Sequence, residues 1–157
     1  MEHSPRIRHH SARLTASEPA DCALIYDIDI VRYDPQWLID NGIDRAKCIA
    51  VLESHPSLGF FYDGQPIGGV LFDGESAHMA VLPAFHGRWA FLLKDMLEWL
   101  FAFKDPILTT IESGNPQAIR FMERNNWRRV AEVDGGITYE MTRPQRTSRL
   151  GIAAPRT

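Results

Sequence analysis

Cysteine is scarce: Cys22 and Cys48 are the only two in 157 residues, which excludes a framework of several disulfides. No apolar run approaches the roughly 20 residues that span a bilayer, and no signal-peptide pattern opens the chain. These absences lead to the expectation of a cytoplasmic protein with no membrane partner. The six histidines, His3, His9, His10, His55, His78 and His86, are scattered without cysteine pairing, so no metal site is expected. A Gly-x-Ser-x-Gly elbow and the Gly-rich phosphate loop of nucleotide hydrolases are also missing. The stretch from Gly114 to Arg120 holds a single glycine and is no dinucleotide fingerprint.

What is present describes one globular domain, with 45% hydrophobic and 24% charged residues. Residues 1–12 are polar, rich in His and Arg and without period; they read as a flexible arm before a single domain over 13–142. Residues 143–157 carry four arginines, two prolines and no acid, a basic tail expected to be disordered. The tail lacks aromatic residues, so a solubilising role is expected rather than nucleic-acid binding. The net charge of -3 hides an asymmetry. Residues 14–80 hold eleven acids against three bases, and residues 81–157 hold eleven bases against eight acids. Such a division suits an anionic ligand on one side and a cationic acceptor on the other, or is simply solvated surface.

The order of elements is informative. Leu14 to Glu18 reads as a strand end, Asp21 to Tyr33 as a helix, and Asp34-Pro35 as the cap and first residue of a helix through Asp40. Arg45 to Glu53 reads as another short helix. Asp63-Gly64 and Asp73-Gly74 are tight-turn dipeptides between apolar runs. They predict three antiparallel strands over 58–62, 66–72 and 76–82. Trp89, Leu92, Leu93, Met96, Leu97, Leu100 and Phe101 recur at helical spacing and predict a long amphipathic helix. Asp105-Pro106 stops it. Ile107 to Ile111 reads as a buried strand, Asn115-Pro116 as a helix start with an apolar face of Ala118, Ile119, Phe121 and Met122. Trp127 to Val133 and Ile137 to Met141 read as a hairpin across Gly135-Gly136. The fold class expected is α/β (α+β), a mixed, mostly antiparallel twisted sheet flanked by helices.

Chemistry concentrates at the junction Ala80-Val81-Leu82-Pro83-Ala84-Phe85-His86-Gly87-Arg88-Trp89-Ala90. A strand that ends in Pro and turns through Gly into a helix start offers free first-turn amides and the positive end of the helix dipole to an anion. His86 and Arg88 add side-chain donors.

This junction resembles the acetyl-coenzyme-A loop of the GCN5-related N-acetyltransferases (GNAT), in which Val-x-Pro precedes Arg/Gln-x-x-Gly-x-Gly/Ala. The segment Asn115-Pro116-Gln117-Ala118 through Glu123-Arg124-Asn125-Asn126-Trp127 resembles the family's second motif. The likeness runs from about Ser57 to Met141 and is greatest to small acetyltransferase-like proteins of tailed bacteriophages. It implies transfer of an acetyl group from acetyl-CoA to an amine acceptor, such as a lysine or a polyamine. Cofactor contacts are then expected from Val81, Leu82, His86, Gly87, Arg88, Trp89, Ala90 and Asn115. Two registers are open: Trp89 at the first loop glycine, its side chain turned into the core or filling the groove, or Gly87 at that place with Ala90 as the small residue.

Met122 stands where the family often has its acidic tyrosine, and Tyr139 is the candidate substitute, with plain packing as the other reading. Glu75 is the candidate base at the start of the third strand, or an exposed hairpin residue. His78, on the opposite face of a regular strand, is a second candidate, or a histidine held by hydrogen bonds. Asn115 is a helix cap, a neighbour of the pantetheine arm, or both. Arg120 and Arg124 form a solvated stripe. The alternative to an enzyme is a catalytically degenerate phage protein of the same fold, a virion, assembly or host-interaction component. A homodimer or a virion partner is among the expected associations.

Overall fold

The computed structural model describes residues 14–143; the expected arm and all of the expected tail beyond Arg143 lie outside the described residues. Two compact units divide the chain, the first ending at Lys104 and the second beginning at Asp105.

In the first unit the order is β1 (Leu14–Ser17), α1 (Cys22–Ile30), α2 (Pro35–Asp40), α3 (Arg45–Glu53), β2 (Ser57–Tyr62), β3 (Gln65–Phe72), β4 (Ala77–Val81) and α4 (Leu93–Phe101). Each of the first three helices starts where an aspartate accepts backbone amides that the helix leaves orphaned. Asp21 takes the Leu24 amide, Asp34 those of Gln36 and Trp37, and Asp44 that of Lys47. Pro35 occupies the first helical position of α2, as its preset φ predicts.

The strands form an antiparallel sheet in the order β1-β2-β3-β4. Asp63 and Gly64 both adopt positive φ in the tight turn between β2 and β3, as the dipeptide predicts. The second hairpin differs from expectation. β4 begins at Ala77 rather than Ser76, because residues 73–76 form a longer turn organised around the Asp73 carboxylate. On one face of the sheet, Ala20, Cys22 and Ile25 of the α1 region pack with Leu71 and Ala80. Phe60 and Val70 are fully buried, and Trp89 stacks on Phe60 with ring centroids 6.1 Å apart and planes 8° from parallel. The long helix begins later than its periodicity predicts. Trp89–Leu92 is a 3-10 turn, and α4 proper starts at Leu93 with no side-chain cap. Residues 88–92 contain no Ser, Thr, Asp or Asn to accept the first-turn amides, so tighter i to i+3 bonds take their place.

The second unit holds β5 (Ile107–Glu112), α5 (Pro116–Arg124), β6 (Arg128–Val133) and β7 (Gly136–Met141), with an antiparallel sheet ordered β5-β7-β6. β5 is one-sided rather than wholly buried: Ile107 and Thr109 are buried while Leu108 is exposed. On the expected apolar face of α5 only Met122 is fully buried, with Ala118, Ile119 and Phe121 half-buried. Trp127 precedes β6 instead of opening it; its indole donates to the Thr142 carbonyl at 3.0 Å and meets Phe121 edge-on. The architecture is α+β, with antiparallel sheets flanked by helices.

β4 sits where it does because β3 offers glycine beneath it. At Gly68, φ is +150°, and an added Cβ would lie 2.2 Å from the Ala80 carbonyl oxygen and 2.8 Å from Val81 Cα. Both obstacles are backbone, so no side chain can yield. Gly68→Ala is therefore expected to cost roughly 2–4 kcal/mol of stability, read as a lowered thermal midpoint; an unchanged midpoint would show that the two strands separate without cost.

Candidate functional site

The junction after β4 is a compact loop tied to the strand it leaves. The Leu82 amide donates to the Ile67 carbonyl at 2.8 Å, which extends the β3–β4 pairing past buried Val81. Pro83–Phe85 then makes a 3-10 turn. His86 folds back, its Nε2 lying 2.8 Å from the Val81 carbonyl oxygen. A carbonyl only accepts, so Nε2 carries the proton, and Nδ1 of the neutral ring is left as an acceptor.

The large apolar side chain of this loop turns inward. Trp89 is buried against Phe60, so its indole lies in the core and not in a surface groove. Gly87, Arg88 and Ala90 are exposed, and a Cβ at Gly87 would meet nothing within 4 Å. The Arg88 guanidinium lies over the rings of Tyr62, at 5.4 Å, and Phe85, at 5.9 Å. Those two rings pack 5.2 Å apart. Aromatic faces hold the cation without neutralising it, and no carboxylate pairs with Arg88 among the described residues. One expectation is trimmed: the loop amides are not all free. His86, Arg88, Phe91 and Leu93 donate to the carbonyls of Pro83, Phe85, Arg88 and Ala90.

At the other end of β4 the sequence-predicted candidates separate. Glu75 is exposed in the turn, outside the strand, and its amide donates to Asp73 Oδ1 at 2.9 Å. The expectation that Glu75 opens the strand opposite His78 is thus corrected by the length of this turn. His78 is on the strand and exposed, with Nε2 3.0 Å from Asp73 Oδ2. The sequence marks Asp73 only as a turn residue, yet its carboxylate gathers the amides of Glu75 and Ser76 and the His78 ring. An Asp followed at the third position by Ser is the local signal of such a turn; the histidine five residues on carries no sequence mark.

Burial pushes the Asp73 carboxyl up, but the amides of Ser76 and Glu75 and then His78 outweigh it and bring it down to about 2. Because the folded value lies below the unfolded 3.8, this contribution is complete above pH 3.8 and disappears as pH falls toward about 2. Asp73→Ala is expected to lower unfolding free energy by roughly 1–2 kcal/mol at neutral pH. In urea melts the gap from wild type should close as pH drops from 3.8 to 2, and a gap constant with pH would disprove the charge contribution.

The second unit holds the other two candidates. Asn115 Oδ1 accepts the Ala118 amide at 3.3 Å and caps α5. Tyr139 is fully buried, and its hydroxyl donates to Glu123 Oε1 at 2.8 Å. The same oxygen accepts Arg129 Nε at 2.8 Å, and the Arg129 guanidinium lies 5.9 Å from the Tyr139 ring centre. Burial and then the Glu123 hydrogen bond push the Tyr139 phenol up, while Arg129 and then Tyr139 hold the Glu123 carboxyl down. Arg120 and Arg124 are exposed, as expected of a solvated stripe. Tyr139→Phe is expected to cost roughly 1 kcal/mol in a chemical melt, and a neutral result would show that the Glu123 contact is incidental.

A pocket of about 560 Å³ in the first unit is lined by Glu18, Cys22, Glu53, His55 and Ser57 among others, and includes none of the sequence-predicted site residues. Burial, and then the Glu53 charge, push the Cys22 thiol up, which keeps it in its inert form. Among the described residues no group of three or more His, Cys, Asp or Glu is placed to hold a metal ion, and no helix is long and apolar enough to cross a membrane.

This arrangement of sheets, helices and a strand-end loop has the fold of the GNAT acetyltransferases. No family model and no curated protein matches the chain in sequence, but solved structures match it in fold. The PaiA N-acetyltransferase of Thermoplasma acidophilum, in complex with coenzyme A, matches at a TM-score of 0.63 and 12% identity, over 83% of this chain and 99% of that one. The putative acetyltransferase YncA of Salmonella typhimurium, with its cofactor acetyl-CoA, matches at 0.59 and 19%, over 90% and 99%. A GNAT-family acetyltransferase of Bacillus cereus matches at 0.60 and 16%, over 85% and 99%. At such identities the likeness is one of fold.

Proposed function

We propose that the protein is an acetyl-CoA-dependent N-acyltransferase that transfers an acetyl group to an amine. The observation that carries this reading is the loop after β4. There a buried Trp89 leaves Gly87, Arg88 and Ala90 facing outward beside the Val81-Leu82-Pro83 strand end, in a chain with the fold of acetyltransferases. Two of the matched structures hold acetyl-CoA or coenzyme A. The exposed surface fits the phosphate groups of such a molecule. Gly87 has no side chain to obstruct approach, Ala90 little, and Arg88 brings a charge that has no acidic partner among the described residues. In this reading Val81 supplies strand backbone, Leu82 ties the loop to β3 through its amide, His86 holds the loop onto the strand, and Trp89 contributes through its anchorage in the core. Direct transfer rests on positioning, so it does not require a full set of acid and base side chains.

A second reading, a non-catalytic protein of the same fold, is favoured by one feature. Met122 is buried at the position of the family's acidic tyrosine, and the Tyr139 hydroxyl is engaged by Glu123. Calorimetry with acetyl-CoA separates the two. The enzyme reading expects saturable binding below about 1 mM, abolished or weakened at least tenfold by Gly87→Trp. That variant should keep its melting midpoint, because a Cβ at Gly87 meets nothing within 4 Å. Absence of binding by the wild-type protein at that concentration would overturn the enzyme reading and leave the second.

A further inference from the structure

We propose that Asp73 and His78 form a proton-accepting dyad on the β3–β4 hairpin, in which Asp73 is a positioning residue that keeps the ring proton on Nε2 and leaves Nδ1 to take a proton from an ammonium acceptor. This rests on the acyl-transfer reading and names the side chain that prepares the amine. The geometry is specific. One Asp73 oxygen is fixed by the amides of Glu75, at 2.9 Å, and Ser76, at 2.7 Å; the other lies 3.0 Å from His78 Nε2. An ionised carboxylate only accepts hydrogen bonds, so the hydrogen between them belongs to Nε2. The lone pair of the neutral ring is then on Nδ1, and the His78 side chain is 60% exposed, open to a molecule from solvent. His78 lies three residues before Val81 on the strand that enters the loop. It shares a strand face with Ala80, which packs in the α1 cluster.

The chemistry is helped by such a group. An alkyl amine near neutrality is an ammonium ion, which has no lone pair with which to attack, and histidine is the side chain suited to move a proton there. One ammonium proton passes to Nδ1 and leaves a neutral amine. Its nitrogen forms a bond to the thioester carbonyl carbon, and the carbon–sulfur bond breaks with the electron pair going to sulfur. The second proton lost from nitrogen ends on that sulfur as the thiol, and His78 returns its own proton to solvent.

A mere hairpin clip would hold the turn without regard to tautomer, and Asp73→Asn separates the two roles. The asparagine keeps an oxygen for the amides of Glu75 and Ser76 but presents an NH2 to His78. Nε2 must then accept, and the ring proton moves to Nδ1. Ring ¹⁵N–¹H NMR of the full chain should show the Nε2–H form in wild type and the Nδ1–H form in Asp73→Asn. With spermidine as acceptor and thiol release as readout, kcat should fall roughly 10- to 100-fold in Asp73→Asn and in His78→Gln. The double variant should fall no further, and acetyl-CoA affinity by calorimetry should stay within twofold in all three. A wild-type Nδ1–H form, or kcat within twofold of wild type in Asp73→Asn, overturns the dyad alone. A wild-type protein that binds acetyl-CoA but releases no thiol with spermidine or a lysine amide overturns the amine-transfer reading, and the dyad with it.

Discussion

The stacking of Trp89 on Phe60 is the contact from which the candidate site takes its shape. Phe60 is a fully buried residue of the central hairpin, and a near-parallel indole over it ties the loop after β4 to the middle of the sheet. An aromatic pair of this kind adds about 0.5–1.5 kcal/mol beyond the area it buries, and it decides which way the short loop faces. With Trp89 inward, its neighbours Arg88 and Ala90 are outward, and Gly87 is left open. His86 completes the anchorage by returning to the Val81 carbonyl. The glycine in β3 that lets β4 approach closely belongs to the same scheme, since the loop follows the strand it leaves.

The charge asymmetry of the sequence finds much of its cause in local structure. Asp21, Asp34 and Asp44 cap three successive helices, Asp63 occupies a tight turn, and Asp73 organises the next one. Asp27 pairs with Arg45. Asp21, Asp34, Asp44 and Asp73 serve backbone amides and Asp27 a nearby cation, and they need no cationic acceptor to account for them. In the second unit, Glu123 engages both Arg129 and Tyr139. The charge of interest is Arg88, held over two aromatic rings and without a carboxylate among the described residues.

Most of the element order was legible in the sequence, because its signals act between near neighbours. Asp34-Pro35 and Asn115-Pro116 start helices, Asp63-Gly64 turns a hairpin, and apolar recurrence marks α4. Legibility failed where a signal had a rival. Asp73-Gly74 reads as a two-residue turn, yet the carboxylate captures two amides and lengthens it. Trp89 belongs to the helical period, but without a capping side chain the first turn tightens to 3-10. Ile107 to Ile111 is apolar enough for a wholly buried strand, while the pleat presents Leu108 to the outside.

The sequence by itself determined most of the element order, the hairpin positions and the strand-end motif before the loop. Those depend on φ preferences, caps and periodicity, which are properties of a few adjacent residues. The tertiary structure alone decided which way the chemical side chains point. Trp89 was open between groove and core until Phe60 received it, Tyr139 until Glu123 took its hydroxyl, and His78 until Asp73 met its ring. Each orientation is set by a partner brought close through strand pairing or helix packing, and the spacing of residues along a chain carries no record of that meeting.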